Sequence, residues 1–198
     1  YGIARDYLRA NYGVCKRCAL MGLSVRDISL NLLRWLFGAV FLFSGLTKAV
    51  DPVGTSVFVE KYLTTYGLDA LMEFALPIAL ALATVELTLG IAVIVNAFHR
   101  LTLRFSLLFV ALFTLITLLS ATVLPIGDCG CFGDAVKLSP WATFWKNIGL
   151  LVVVVVLLRC DHREYTISLT QIGLCLAGLL FALGLNLYAL RHQPLVDF

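Results

Sequence analysis

Two cysteines separated by one glycine are the residues of this chain best suited to chemistry. Cys129 and Cys131 flank Gly130 in a short segment between two long apolar runs. A disulfide between them would close a very small, strained ring that is easily reduced, and glycine tolerates the backbone angles that such a ring needs. The pair therefore indicates thiol–disulfide exchange, although a structural disulfide or two unreactive thiols would have the same spacing. The loop residues expected to support this chemistry are Asp128, Gly130, Phe132, Gly133 and Asp134.

The composition is that of a membrane protein. Hydrophobic residues make up 61% of the 198 residues and charged residues 14%, against roughly 45–50% and 25% in soluble domains. A stretch of about 20 apolar residues crosses the hydrocarbon core of a bilayer as a helix. Five such stretches are found, at about 31–50, 70–97, 102–125, 140–158 and 166–189. We therefore predict an all-α integral membrane protein, with the cysteine pair in a loop at the edge of the lipid bilayer.

A sixth helical segment, residues 54–66, has a different pattern. Its apolar side chains recur at helical spacing among polar residues, which predicts an amphipathic helix lying on the membrane surface. These side chains belong to Phe58, Val59, Tyr62, Leu63 and Tyr66.

The distribution of Lys and Arg predicts the orientation in the membrane. Five basic residues precede the first span, and two lie in each of the connections that follow the second and fourth spans. Positive charge marks the cytoplasmic side, so we expect the amino end inside and the carboxyl end outside a bacterial inner membrane. The cysteine loop would then face the periplasm or the cell exterior, where disulfides persist. The net charge of +3 follows from this asymmetry, and nothing in the chain predicts a nucleic-acid partner.

This topology divides the chain into three parts: a cytoplasmic amino-terminal segment at 1–29, a membrane bundle at 30–158, and a cytoplasmic loop, fifth helix and outer tail at 159–198. The first part is too polar for a cleavable signal peptide. Because the chain begins at Tyr1 rather than Met and stops just beyond a span, we expect further residues on either side.

Several ionisable residues lie within or beside the predicted spans. Glu86 falls near the middle of the second span, where a charge is costly; it would accept protons from a reduced quinone or bond to a neighbouring helix. Lys48 and Asp51 are three residues apart; they are further candidates for a quinone or proton relay, or they form a structural ion pair on one helical face. Arg34 would reach the lipid headgroups from the first span.

A second candidate quinone site lies at the start of the fourth span. Lys146, Trp141 and Trp145 would frame a quinone head group there. Tryptophan is also common at membrane interfaces, so the two indoles are equally explained as interfacial anchors.

Four further residues have types that bind metal. Cys15 and Cys18 have the spacing of a zinc or redox half-site, and the topology places them on the same side as Cys160 and His162. Together they would complete a tetrahedral zinc site, although the cysteines are equally explained as free thiols. Cys175, inside the fifth span, is best explained as a small apolar residue.

Several of these motifs together resemble the DoxX/MauE group of bacterial membrane proteins. The matching segments are Phe43–Pro52, Tyr62–Leu63, Gly67–Leu68, Asp128–Asp134 and Ser139–Trp141, so the resemblance covers about residues 30–158. It implies a four-helix membrane bundle with Cys129 and Cys131 as the redox-active pair. It also implies either disulfide formation in exported methylamine dehydrogenase subunits, as in the MauE branch, or thiosulfate oxidation coupled to quinone, as in the DoxX relatives. The fifth span and the amino-terminal cysteines depart from that pattern.

Two hypotheses about function follow. In the first, the chain is a membrane thiol oxidoreductase: Cys129 and Cys131 oxidise a periplasmic thiol protein, and the electrons pass to a quinone within the bundle. In the second, the chain is a non-catalytic subunit that anchors a larger redox or export complex, and its loop disulfide only stiffens a contact.

Overall fold

The computed structural model describes residues 2–123, 139–161 and 168–192, with side chains from residue 25 onward. Its regular elements in these ranges are helices: α1 (Gly2–Val50), α2 (Pro52–Thr65), a 3₁₀ turn (Asp69–Phe74), α3 (Ala75–Ile94), α4 (His99–Thr122), α5 (Pro140–Cys160) and α6 (Leu169–Arg191). Five segments are long and apolar enough to cross a membrane, namely Val25–Val50, Asp69–Ile94, His99–Thr122, Pro140–Cys160 and Leu169–Arg191. The predicted all-α integral membrane fold with five spans is confirmed.

Local sequence signals set several helix boundaries. Asp51 interrupts the path from α1 to α2: its Oδ1 accepts a hydrogen bond from the Gly54 amide at 2.8 Å, and Pro52 opens α2. Proline suits the first turn of a helix because the amide it lacks would have no partner there. Ser139 and Pro140 start α5 in the same way, with Ser139 Oγ 3.3 Å from the Ala142 amide.

Helices α1 and α3 pack closely and antiparallel. A Cβ placed on Gly38 would meet Ile94, and one placed on Gly45 would lie 2.7 Å from the Leu87 backbone nitrogen. Small residues let helix backbones approach closely in membranes, where the hydrophobic effect does not drive helices together. Both contacts fix one register, and that register places the end of α1 beside the middle of α3.

Contacts made by α4, α5 and α6 complete the bundle. Helix α4 packs mainly on α5, and a buried apolar cluster that includes Phe37, Phe41, Val110 and Leu157 joins this pair to α1. Helix α6 packs on α3 and α1. Its buried residues, Gly178, Ala182, Asn186 and Ala189, recur every three or four positions and form a narrow stripe toward the bundle.

Helix α2 forms where the periodicity predicted it. It packs on α3, along the part of α3 that α1 does not reach. Leu63 is buried, and Phe58, Val59, Tyr62 and Tyr66 line a cavity that opens to the surface beside the exposed Leu112. The apolar face of α2 therefore lines this cavity, and its placement on the membrane surface stays a prediction.

Candidate functional site

A buried ion pair lies between α1 and α3. Lys48 Nζ donates hydrogen bonds to Glu86 Oε2 and to Ser44 Oγ, both at 2.8 Å. The two charged residues are only 3% and 5% exposed. The sequence predicted Asp51 as the partner of Lys48, but the structure pairs Lys48 with Glu86, while the Asp51 side chain caps α2.

The packing of α1 on α3 positions this pair. The close approach at Gly45 brings the last turns of α1 against α3 at Leu87, one residue from Glu86. Because α1 ends beside the middle of α3, Lys48 faces the interior of the bundle. Such a charge is tolerated only where a partner of opposite sign and further hydrogen bonds compensate the loss of water.

A small polar cavity borders the ion pair on one side. Its volume is about 30 Å³, and Ser44, Glu86, Lys146 and Asn147 contribute its polar groups. A water molecule requires roughly 10–15 Å³ of such volume and two to four polar partners, so the cavity has room for one or two waters. The structure thereby brings together Glu86 and Lys146, which the sequence placed in two separate sites.

A much larger apolar cavity borders the pair on the other side, between α2, α3 and α4. Its volume is about 470 Å³, and Lys48 forms part of its wall. Most of the lining is aliphatic or aromatic, including Phe58, Tyr62, Leu82, Phe113 and Ile116. A cavity of roughly 300–1,000 Å³ with an apolar lining and few polar groups is typical of small-molecule sites.

The two tryptophans and Lys146 all lie in the first two turns of α5. Trp141 and Trp145 are exposed on α5 and both contact the ring of Phe144, at centroid distances of 6.0 and 5.6 Å. Lys146 instead lines the small cavity with Glu86. Exposed indoles at a helix end are also typical of interfacial anchors, and the quinone site predicted around these residues stays a prediction.

The predicted redox and zinc residues are described only in part. Cys129 and Cys131, with the supporting residues from Asp128 to Asp134, lie outside the described residues, as does His162. The side chains of Cys15 and Cys18 are also outside them. Cys160 is exposed at the end of α5, and its carbonyl oxygen accepts a hydrogen bond from Arg26. The zinc site stays a prediction.

The described helix ends still locate the cysteine segment in the chain. Residues 124–138 connect the end of α4 at Thr122 to the start of α5 at Pro140. We call the end of the bundle at which α4 ends and α5 begins the cysteine end. Lys146 lies six residues from Pro140 along α5, roughly 9 Å below the cysteine end.

Sequence reasoning missed a second buried polar group, at the opposite end of the bundle. Arg34 Nη2 lies 2.5 Å from Asp161 Oδ2, and His99 Nε2 lies 3.8 Å from the same oxygen. His99 Nδ1 is 2.7 Å from Asn96 Oδ1, and Asn96 takes a left-handed backbone conformation with φ of 60°. We call these four residues the Arg34 cluster.

The cluster corrects one prediction about Arg34. Its side chain is buried against Asp161 and does not extend to the lipid headgroups. An arginine inside one span, together with a histidine and an aspartate at the ends of others, was the available sequence signal. Lys48 and Lys146 lie 14 and 15 residues from Arg34 and Asp161 along their helices, a rise of roughly 21–23 Å. The bundle therefore has two separate polar layers, namely the Lys48–Glu86 pair with Lys146 and the Arg34 cluster.

One family profile matches most of the chain. The profile described as "Methylamine utilisation protein MauE" matches residues 26–159, a range that contains the Lys48–Glu86 pair and the cysteine pair but neither Asp161 nor α6. Searches among curated proteins and among solved structures found no match. Because the matched range exceeds half of the chain, and the fold is a bundle of membrane-spanning helices, the chain belongs to the MauE family of membrane proteins.

Proposed function

We propose that this chain is a membrane thiol–disulfide oxidoreductase that transfers electrons from dithiols outside the cytoplasm to a membrane quinone through Cys129 and Cys131. The observation that carries the proposal is the buried Lys48–Glu86 pair, which borders both a polar and an apolar cavity. Intramembrane ion pairs are costly and commonly mark proton or substrate pathways. The resemblance of the cysteine loop to the DoxX/MauE group supports the same chemistry.

The thiol half of the reaction is an exchange in two steps. A thiolate of the partner protein attacks one sulfur of the Cys129–Cys131 disulfide, which breaks that bond and forms a mixed disulfide. The second thiol of the partner then attacks the mixed disulfide. The partner is released as a disulfide, having lost two electrons, and Cys129 and Cys131 remain as two thiols.

The second half returns the cysteine pair to the disulfide. The two thiols lose two electrons and two protons, and a quinone gains the same two electrons and two protons as it becomes a quinol. The net reaction converts one partner dithiol and one quinone into one partner disulfide and one quinol. The cysteines and the membrane carrier therefore exchange protons as well as electrons.

The ion pair is suited to this proton exchange. The Glu86 carboxylate can accept a proton that the thiols release, and the Lys48 ammonium can donate one to a reduced quinone oxygen. The small cavity beside Glu86 has room for one or two waters and includes Lys146, which lies nearer the cysteine end. Hydrogen-bonded water between these groups would supply a path for protons.

Trapping the mixed disulfide tests this function. Cys131→Ser and Cys129→Ser variants are expressed in cells, thiols are blocked with acid and alkylation, and the disulfide-linked species are identified by mass spectrometry. We expect one variant to accumulate an adduct with an exported protein that has paired cysteines, and the double variant to accumulate none. The adduct should disappear on reduction.

A redox titration separates catalysis from a structural role for the loop. The purified protein is equilibrated with dithiol buffers, and alkylation mass shifts report the state of Cys129 and Cys131. We expect the reduction potential of the Cys129–Cys131 pair to lie above about −300 mV, in the range of disulfide-exchange enzymes. A potential below about −300 mV is typical of structural disulfides, and that result would favour the alternative in which the chain anchors a larger complex without catalysis.

A further inference from the structure

The apolar cavity between α2, α3 and α4 results from the way α1 ends. Because α1 stops beside the middle of α3, the shorter α2 packs on α3 beyond that point, at Ile78 and Leu82. Side chains from α2 and α4 then face each other across a space of about 470 Å³. Atoms that line such a space lack dispersion contacts on one side, so the cavity favours an apolar occupant.

The walls have the features expected for a planar ring. Tyr62 and Tyr66 on α2 stack with their ring centroids 6.2 Å apart and their planes 20° apart, and both line the cavity together with Phe58 and Phe113. Aromatic side chains pack favourably against other flat rings in offset or edge-on arrangements. Aliphatic residues such as Leu82 and Ile116 would contact a hydrocarbon chain.

The charge of the cavity favours a neutral occupant. Lys48 is the cationic residue of its lining, and its ammonium is already neutralised by Glu86 at 2.8 Å. An anionic headgroup or a fatty acid carboxylate would have to approach Glu86 without a compensating positive charge from the lining. A neutral quinone oxygen needs only a hydrogen-bond donor, which Lys48 supplies.

We propose that this cavity binds an isoprenoid quinone, with the ring near Lys48 and Tyr62 and the isoprenoid chain between α2 and α4. The inference rests on the proposed function, because that function requires a quinone, and it names the site. It is an alternative to the site predicted around Trp141 and Lys146.

Photolabelling with a matched pair of variants tests the site. The probe is a short-chain azido-benzoquinone, added to the full-length protein in lipid nanodiscs, and labelled peptides are mapped by mass spectrometry. Ile116→Trp fills the cavity, whereas Leu115→Trp adds the same side chain to the neighbouring residue, which is 55% exposed on α4. We expect labelling of α2 and α4 in the parent protein and in Leu115→Trp, and at least about tenfold weaker binding in Ile116→Trp.

A second pair of variants, on α3, shows whether a loss of labelling in Ile116→Trp comes from a folding defect. Leu82→Phe narrows the cavity from α3 with a smaller change in volume, and Val85→Phe is its control because Val85 is 41% exposed. Equal labelling in all four variants would overturn the assignment. Displacement of the probe by oleate but not by unlabelled ubiquinone would also overturn it, since the site would then bind lipid.

The test is independent of thiol chemistry. A variant with both Cys129 and Cys131 replaced by serine is expected to bind the probe as tightly as the parent. If that variant binds the probe but the parent never exchanges disulfides, the proposed function fails and the quinone site remains. If Ile116→Trp exchanges disulfides and reduces quinone at the parent rate, the site fails and the proposed function remains.

Discussion

At the scale of single residues, the Lys48–Glu86 pair is the most costly feature of the bundle. Two charges are removed from water and placed among apolar side chains, and their attraction offsets that cost only with good geometry and further hydrogen bonds. Ser44 Oγ supplies one such bond. A pair retained only for stability could be replaced by apolar residues, which gives a way to separate structure from function.

The first prediction concerns this replacement. Lys48→Met or Glu86→Leu alone should lower the free energy of unfolding by about 3–5 kcal/mol, because each leaves a buried charge without its partner. The double variant should recover most of that loss. Unfolding in detergent is followed by circular dichroism, with quinone-dependent dithiol oxidation measured in parallel.

The two measurements distinguish the roles of the pair. If it relays protons, the double variant should be stable and yet oxidise dithiols slowly. Full turnover in a stable double variant would leave the pair with a packing role alone.

The second prediction concerns the Arg34 cluster. Asp161→Asn should destabilise the protein by about 3–5 kcal/mol, because Asp161 is fully buried against Arg34 and its loss leaves an uncompensated guanidinium. Asp69→Asn is the control, since Asp69 is exposed in the 3₁₀ turn. Similar unfolding curves for the two variants would show that Asp161 contributes little to stability.

At the scale of helices, glycine contacts set the register that brings Lys48 to Glu86. Gly45 lies where a Cβ would be 2.7 Å from the Leu87 nitrogen, a backbone atom that cannot move aside without shifting α3. Helix association in membranes depends on such close approach. The ion pair therefore depends on a residue that carries no charge.

The third prediction follows from this contact. Gly45→Ala should destabilise the protein by about 1–3 kcal/mol, the usual cost of overpacking, and should slow dithiol oxidation by separating α1 from α3. Gly149→Ala on α5 is the matched control, because a Cβ there meets nothing within 4 Å. It should leave stability unchanged or slightly raised, since alanine favours helix. Equal stability of the two variants would reject a role for the Gly45 contact.

The same contacts explain what the sequence could predict. Apolar runs located the five spans, and helical periodicity located α2, because both signals depend on neighbouring residues. The partner of Lys48 was wrong because Asp51 is three residues away in sequence whereas Glu86 is 38. Only the packing of α1 on α3 selects the distant carboxylate. The large cavity was missed for the same reason, since its walls come from four helices.

At the scale of the whole molecule, the proposed function requires the cysteine end to face away from the cytoplasm. The distribution of Lys and Arg predicts this orientation, which would place the Arg34 cluster toward the cytoplasm. The two polar layers would then lie at different depths, with the Lys48–Glu86 pair nearer the compartment that holds the thiol partner.

The fourth prediction tests this orientation. In variants that retain one cysteine, a membrane-impermeant maleimide should modify Cys131 in intact spheroplasts. It should modify Cys160, which is exposed at the end of α5, only after lysis. The opposite pattern would reverse the topology and remove the exported thiol partner from the proposal.

The separation of Lys48 and Glu86 in the chain has a consequence for biosynthesis. The first span leaves the ribosome before the third helix, so Lys48 enters the bilayer before Glu86 has been made. A lone carboxylate at mid-span opposes insertion by roughly 2.5–3.5 kcal/mol, and α3 would meet this cost at Glu86 if α1 and Lys48 had already moved away. We therefore expect α1 to stay beside the translocon until α3 arrives, so that the two helices enter the lipid as an already neutralised hairpin.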